Sequence, residues 1–325
     1  MVEDPLILQW HITEKCNLRC RHCYQGRFFE TGLPLESLLK LIDDYKELLI
    51  KTHKYGHINL TGGEPLISPY FYDLLEIFKK DSKYYSFSIL TNGLLIDEET
   101  AKKIAFFKPK YVQLSLEGGK KINDYIRGEG TYNKIIKSLK NLRKENIYTS
   151  LSFTASKMNF EELENVIKAG RKAKVNRIWT DRYIPLNNDF KYALDKDDTK
   201  KYLMMLSKYQ KKYKDIEICS NRSLQFLETN SPCYHCSAGS LLITVMANGD
   251  VVPCRRLPIV SGNVLENTLS DIYFNSETFK SLRHFTYPKS CSLCDFNEEC
   301  RGGLRCLTYA AFNTFDEKDP GCYFL

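Results

Sequence analysis

The sequence predicts an α/β protein. A partial, TIM-like (β/α)6 barrel over residues 1–215 is followed by a small cysteine-rich α+β domain over residues 216–325. Three observations carry this. Strand-like and helix-like patterns alternate six times between residue 7 and about residue 185. Beyond about residue 216 the strands shorten and Gly and Pro punctuate the chain. Nine of the twelve cysteines fall in the last third. A length of 325 residues also suits two domains.

The strands are expected at residues 7–12, 57–60, 86–90, 111–116, 149–154 and 177–183. Between the first two, Leu35, Leu38, Leu39, Ile42 and Tyr45 recur at helical spacing after Pro34. Phe71, Leu74, Leu75 and Phe78 do the same after Ser68 and Pro69, read as a cap and a first-turn proline. Leu163, Ile167 and Gly170 mark a later helix, and residues 195–213 read as the sixth. Six strand–helix units in series imply parallel strands joined by right-handed crossovers. They are too few to close an eight-stranded barrel, so the barrel is expected to be open. The domain boundary is placed near residues 214–218.

The chain is 43% hydrophobic and 27% charged, ordinary for a globular protein with a large core. Its apolar runs fall far short of the roughly 20 residues of a membrane span. The first residues lack a basic region and an apolar stretch, so no secretory signal is expected and the setting reads as cytoplasmic. The net charge of +7 is spread over many lysines, which suits a solvated surface or an acidic peptide partner. No compact basic stripe with interleaved aromatics points to nucleic acid. In a reducing compartment, cysteine at this density argues for metal sites over disulfides.

Cys16, Cys20 and Cys23 form a CxxxCxxC group directly after the first strand. Three thiolates on a four-iron cube leave one iron without a protein ligand, a position a chelating molecule can take. Spacing alone leaves two other readings open: a disulfide, or zinc with His11 or His22 as fourth ligand.

Further on come Thr61-Gly62-Gly63-Glu64-Pro65 after the second strand, Thr91-Asn92-Gly93 after the third, and Ser115-Leu116-Glu117-Gly118 after the fourth, followed by Arg127. Together with the cysteines these resemble the landmarks of the radical S-adenosylmethionine (SAM) superfamily. Singly each reads as a turn or a cap. All fall at the C-terminal ends of successive strands, where parallel α/β proteins place their active sites. The resemblance covers roughly residues 7–185. It implies that Cys16, Cys20 and Cys23 hold a [4Fe–4S] cluster with one open iron. It implies that Gly62, Gly63, Glu64 and Pro65 bind the amino group of SAM, Ser115 its ribose and Arg127 its carboxylate. His22 lies where the backbone approaches the adenine, and Asn92 and Glu117 complete the implied cofactor-binding set.

The remaining cysteines are Cys219, Cys233, Cys236, Cys254, Cys291, Cys294, Cys300, Cys306 and Cys322. Cys291 and Cys294 form a CxxC pair, and Gly249 to Cys254 is a GxxxxC element in a probable hairpin turning at Asn248-Gly249. This ensemble resembles the SPASM domain that follows the barrel in many radical SAM enzymes and carries two auxiliary [4Fe–4S] clusters. The family pattern implies one cluster on Cys233, Cys236, Cys254 and Cys306, and another on Cys291, Cys294, Cys300 and Cys322. Cys219 is left as a structural thiol, or as a replacement for Cys233. The chain departs from the pattern at Leu304, where the family places a cysteine; Cys306 sits two residues on. A zinc-ribbon-like module is the alternative.

The resemblance implies reductive cleavage of SAM to a 5′-deoxyadenosyl radical that abstracts hydrogen from a substrate. The expected substrate is a ribosomally made peptide undergoing thioether formation, crosslinking or oxidation. Alternatives are dehydrogenation of a small polyol or amino sugar, or a non-catalytic iron–sulfur or zinc protein that binds a partner. An electron donor such as flavodoxin or ferredoxin is implied. Only fifteen residues precede Cys16, so a leader-binding domain is not expected there and a peptide would bind the barrel directly or come with a separate recognition protein. Sulfatase-maturing relatives place a basic aspartate where this chain has Arg255, which disfavours that reaction. Trp179 is expected in the core. Arg182 and Tyr183 are expected at the barrel mouth, and Arg255 and Arg256 beside a cluster ligand to grip a carboxylate or balance cluster charge. No residue is singled out as acid or base.

Overall fold

The structure, a computed structural model, describes residues 4–324 apart from Arg27, Glu30, 186–188, 220–221 and 230. The first part of the chain runs β1 (Leu6–His11), α1 (Leu35–Thr52), β2 (Gly56–Thr61), α2 (Phe71–Lys80), β3 (Tyr85–Thr91), α3 (Glu98–Phe106) and β4 (Val112–Ser115). It continues with α4 (Lys120–Arg127), α5 (Thr131–Lys144), β5 (Thr149–Ala155), α6 (Leu163–Lys172), β6 (Arg177–Arg182) and α7 (Lys196–Lys212). The helices start where the chain supplies acceptors for their orphan amides. Asp97 accepts from the Thr100 amide before α3, and Asp195 from the Asp198 amide before α7. Helix α2 differs from expectation: Tyr70 occupies its N-cap, so Ser68 and Pro69 precede the helix.

Strands β1 to β6 lie side by side in sequence order, all parallel, as six right-handed units require. The second region does not stand apart from this sheet. A short β7 (Glu217–Ile218) extends it beyond β6. At the other edge β8 (Leu242–Val245) pairs parallel with β1, and an antiparallel ladder adds β9 (Asp250–Val252) and β10 (Gly262–Asn263). The outcome is one mixed ten-stranded sheet. The hairpin between β8 and β9 turns at Gly249, whose φ of 90° suits glycine. Four helices follow: α8 (Leu269–Asn275), α9 (Glu277–His284), α10 (Asn297–Cys300) and α11 (Arg305–Phe312).

Side chains alternate across each strand, and here the alternation has a functional consequence. Leu6, Leu8, Trp10, Ile58, Leu60, Ile89, Val112, Leu114, Leu151 and Phe153 are buried against the helices. The other face carries Gln9, Asn59, Gln113, Ser115, Ser152, Thr154, Arg177 and Asp181, which line an open cavity of about 2480 Å3 of empty volume. Closed TIM barrels fill their interior with branched apolar side chains; this lumen is polar and hollow. Trp179, expected in the core, sits on the lumen face and is only half-buried.

Candidate active site

The loop after β1 carries Cys16, Cys20 and Cys23, all half-buried and all lining the lumen. The Cys23 amide donates to the Cys20 carbonyl (3.0 Å), closing a turn that brings the last two thiols together. Backbone amides of Leu18 and Gln25 donate to the sulfurs of Cys16 and Cys23 (3.4 Å each). Burial raises all three thiol pKa values, while Arg127 pulls against it at Cys20 and Cys23. A bound cation is what makes thiolates of such thiols.

The two glycines after β2 seat this loop. A Cβ on Gly62 would meet the Thr13 carbonyl oxygen at 2.6 Å, and one on Gly63 the Glu14 and Lys15 oxygens at 2.5 Å. Instead the Gly63 and Glu64 amides donate to the Thr13 and Lys15 carbonyls at 2.7 and 2.8 Å. Glu64 is fully buried and Pro65 lies behind it. Both Glu64 oxygens are already engaged, by the Thr91 hydroxyl (2.7 Å) and by the amides of Asn92 (2.7 Å) and Leu66 (3.2 Å). Burial lifts its pKa to about 7. Gly62, Gly63 and Asn92 line the lumen, whereas Glu64 ties the ends of β2 and β3 together beneath them. Asn92 donates its side-chain amide to Asn17 (2.7 Å) and reaches Cys16 sulfur at 3.8 Å.

Across the lumen, Glu117 is 1% exposed and gathers three groups: His22 Nε2 (3.2 Å), Arg127 Nη1 (3.0 Å) and the Thr154 amide (3.0 Å). Burial alone would raise its pKa, but His22, Arg127 and the amide outweigh that and hold it at about 2. Glu117 therefore orients His22 and Arg127. Among the described residues Arg127 Nε and His22 Nδ1 remain buried without a hydrogen-bond partner, which leaves a guanidinium N–H and a ring nitrogen for an anionic or heteroaromatic ligand. His22, Ser115, Glu117 and Arg127 share the lumen with the three cysteines. An amino-acid nucleoside chelating an open iron fits this set: a cysteine loop on one side, glycine backbone below, and an arginine and hydroxyl opposite.

The eight cysteines from Cys233 onward do not divide four and four. Cys236, Cys254 and Cys306 converge at the lumen wall, in mutual electrostatic contact. Cys291, Cys294, Cys300 and Cys322 surround a separate cavity of about 450 Å3 of empty volume, walled by Phe226, Phe296 and Phe324. Cys233, expected in the first group, instead pairs its thiol with Cys300. Cys236 lines the lumen and Cys233 does not. Among the described residues no three His, Cys, Asp or Glu side chains converge closely enough to hold a single metal ion. The thiols instead surround spaces, which suits a cluster better than zinc. Cys219 lies with neither group; its thiol donates to Glu217 (3.2 Å), and burial pushes its pKa up to about 12.

Three arginines of the lumen already have partners. Arg182 is buried in a two-pronged pair with Asp319 (2.9 and 2.5 Å) and latches β6 to the C-terminal segment. Arg256 pairs with Asp181 (2.8 Å), which Arg222 also contacts (3.2 Å). Arg255 lies over the Tyr24 ring at 4.1 Å. Asp181, Arg222, Tyr24 and Arg177 went unrecognised in the sequence. For Arg177 and Asp181 the signal is periodic: polar residues at every second position of a strand that parallel packing should bury on both faces; Tyr24 and Arg222 lie on loops and carry no such signal.

The Radical SAM superfamily model matches residues 10–170, and the SPASM iron-sulfur cluster-binding domain model matches residues 232–295. The chain is 25% identical to the AdoMet-dependent heme synthase of Methanosarcina barkeri, over 100% of this chain and 98% of that protein. It is 25% identical to the Mycofactocin maturase MftC of Mycolicibacterium smegmatis, over 99% of this chain and 83% of that one. It is 23% identical to the PqqA peptide cyclase of Granulibacter bethesdensis, over 99% and 88% respectively. Among solved structures, Streptococcus suis SuiB bound to S-adenosylmethionine shares the fold with a TM-score of 0.79 at 20% identity, covering 98% of this chain and 77% of that one.

Proposed function

Because the chain belongs to the radical SAM superfamily and carries a C-terminal SPASM domain, we propose that it is a maturase that modifies a peptide in the lumen between two iron–sulfur walls. It is a radical SAM enzyme, and the SPASM domain brings auxiliary [4Fe–4S] clusters. Cys16, Cys20 and Cys23 would hold the SAM-binding cluster, with Gly62, Gly63, Asn92, Ser115, Arg127 and His22 around SAM. Cys236, Cys254 and Cys306 would hold the proximal auxiliary cluster, and Cys291, Cys294, Cys300 and Cys322 the distal one, with Cys233 beside it. When bound, the reduced cluster and SAM together supply a 5′-deoxyadenosyl radical that removes a hydrogen atom from the substrate.

The chain's own residues do the rest. Glu117 holds Arg127 and His22 in place before SAM arrives, so little is spent on reorganising them. Glu64 pins the backbone of the second and third strand ends beneath the ligand. The walls of the lumen shelter a reactive centre from bulk water.

The observation that carries the peptide reading is the lumen. Its lining joins the three barrel cysteines to Cys236, Cys254 and Cys306 in one continuous space, so an extended substrate reaches both cysteine walls at once. The relative named a peptide cyclase supports it. We place an electron donor of the flavodoxin or ferredoxin class, a separate recognition protein and a cytoplasmic setting within the same proposal; among the described residues no helix is long and apolar enough to cross a membrane. A second reading, a tetrapyrrole substrate, is favoured by the full-length likeness to a heme synthase. Anaerobic turnover with SAM and dithionite separates them. Peptides encoded beside the gene should gain a SAM-dependent mass change; if they stay unchanged while an iron porphyrin is converted, the peptide reading is wrong.

A further inference from the structure

The charge of the lumen is one-sided. Its lining contains six arginines, at 127, 177, 182, 222, 255 and 256, against two carboxylates, Glu117 and Asp181. Five of the arginines have evident commitments. Arg127 is held by Glu117 and Arg182 by Asp319, while Arg222 and Arg256 share Asp181. Arg255 stacks on Tyr24 and acts on Cys23.

Arg177 is different. It opens β6, four residues before Asp181, which places it about 13 Å down the strand. Its Nε donates to the Ser150 hydroxyl (3.3 Å), and its guanidinium lies 4.7 Å from the Tyr111 ring centroid and 5.7 Å from that of Trp179. Among the described residues no carboxylate pairs with it within 4 Å. Its strand neighbour Glu217 is turned to the Tyr148 hydroxyl (2.8 Å) and the Cys219 thiol (3.2 Å). Cluster charge does not account for it either: Arg127, Arg255, Arg256, Arg305 and Lys318 act on the cysteine sets, whereas the thiol that Arg177 acts on is Cys219, which lies outside them. Around it the lumen offers amides and hydroxyls from Gln9, Asn59, Gln113 and Ser152, and no acid.

We propose that Arg177 anchors a carboxylate of the substrate at the deep end of the lumen, which sets how far the substrate enters and which carbon meets the radical. A guanidinium braced by aromatic faces keeps its N–H edge for a planar anion. Such a cation attracts an anion and repels a cation. Two sources share this chemistry: a peptide, through its C-terminus or an acidic side chain, and a tetrapyrrole, through its propionates. The inference rests on the reading above only in that the substrate occupies this lumen.

The test is equilibrium binding by anaerobic calorimetry to the reconstituted protein with SAM present. One arm compares a pool of short peptides ending in free carboxylates with the same pool amidated and esterified. The other compares coproporphyrin III with its tetramethyl ester. The free acid should bind at least about tenfold tighter in one arm. Arg177→Gln should bring the ratio to about one, and Arg177→Lys should keep part of it. A variant that merely loosened the barrel would weaken acid and ester alike and leave the ratio intact, which would overturn the proposal. So would equal binding of acid and neutral analogue in both arms. A carboxylate preference confined to the porphyrin arm would uphold Arg177 as the anchor and count against the peptide substrate.

Discussion

The two walls that hold cysteines are built differently. The barrel loop sets Cys16, Cys20 and Cys23 among charges: Arg127 and Glu117 act on Cys20, Arg127 and Arg255 on Cys23, all at the edge of an open lumen. The distal set, Cys291, Cys294, Cys300 and Cys322, sits in a small cavity walled by Leu224, Leu227, Phe226, Phe296 and Phe324. Hydrogen bonding, net charge and solvent exposure tune iron–sulfur potentials. The first environment suits a centre that binds and cleaves a polar ligand; the second suits a centre that only holds or passes electrons. Between them stand Cys236, Cys254 and Cys306, buried like the distal set but facing the lumen like the first. Three cysteines on a four-iron cube leave one iron without a cysteine ligand, so this middle wall resembles the catalytic one in its ligand count.

Removing a ligand from the polar wall gives the largest expected effect. Cys16→Ala should abolish 5′-deoxyadenosine formation and lower iron from about twelve to about eight per chain. Iron analysis beside a cleavage assay checks it, and an unchanged iron count would break the distinction between the walls.

The latch that joins the walls comes next. Arg182 and Asp319 are 4% and 1% exposed. Removing one partner of such a pair costs about 3–5 kcal/mol. Asp319 also accepts from the Leu304 and Gly321 amides, 3.0 and 2.9 Å away. Asp319→Asn should therefore lower the denaturation midpoint of the reconstituted protein markedly, and a shift under about 1 kcal/mol would show that the latch is not what holds β6 to the C-terminal segment.

Glu117→Gln tests whether the polar wall is organised before SAM binds. Loss of an orienting carboxylate should weaken SAM binding about 10- to 100-fold, readable by calorimetry. The pH dependence has a definite sign. The folded pKa of Glu117, about 2, lies below its ordinary value near 4.5. Its stabilisation is complete above about pH 4.5 and is lost as pH falls toward 2. Acid unfolding of the wild type should show this component between those values and the Gln variant should lack it.

The smaller effects concern single thiols. Cys233→Ser should perturb the electron paramagnetic resonance signal of the distal cluster and leave the proximal one alone. The reverse would restore the four-and-four division that the sequence suggests. Cys219→Ser should change neither iron content nor cleavage, because its thiol donates to Glu217 and lies with neither cysteine group.

Much of this site was legible in the chain. The order of strands and helices follows from two periodicities. The cysteine triplet, the glycine pair and Ser115 could be placed at strand ends, because parallel sheets gather function there. These features depend on neighbours a few residues apart, and a sequence displays such spacings directly. Gly62 and Gly63 were legible as glycines, though not the reason for them, which is the approach of the Thr13, Glu14 and Lys15 carbonyls.

Tertiary structure alone decided the rest. Glu64 and Glu117 are both acids near a strand end, yet Glu64 is pushed up to about 7 and Glu117 down to about 2. The difference lies in whether hydroxyl and amide donors or charged partners meet the buried carboxylate, and those partners come from distant strands and loops. Arg177 and Arg182 begin and end the same strand, and the second meets Asp319 while the first meets no acid among the described residues. Cys233 and Cys236 are three residues apart, yet one meets Cys300 and the other Cys254. The sequence by itself determined which chemistry the chain can support, because ligand types and strand-end positions are local properties. How the thiols group, and which arginine meets no acid among the described residues, depended on packing between segments far apart in the chain.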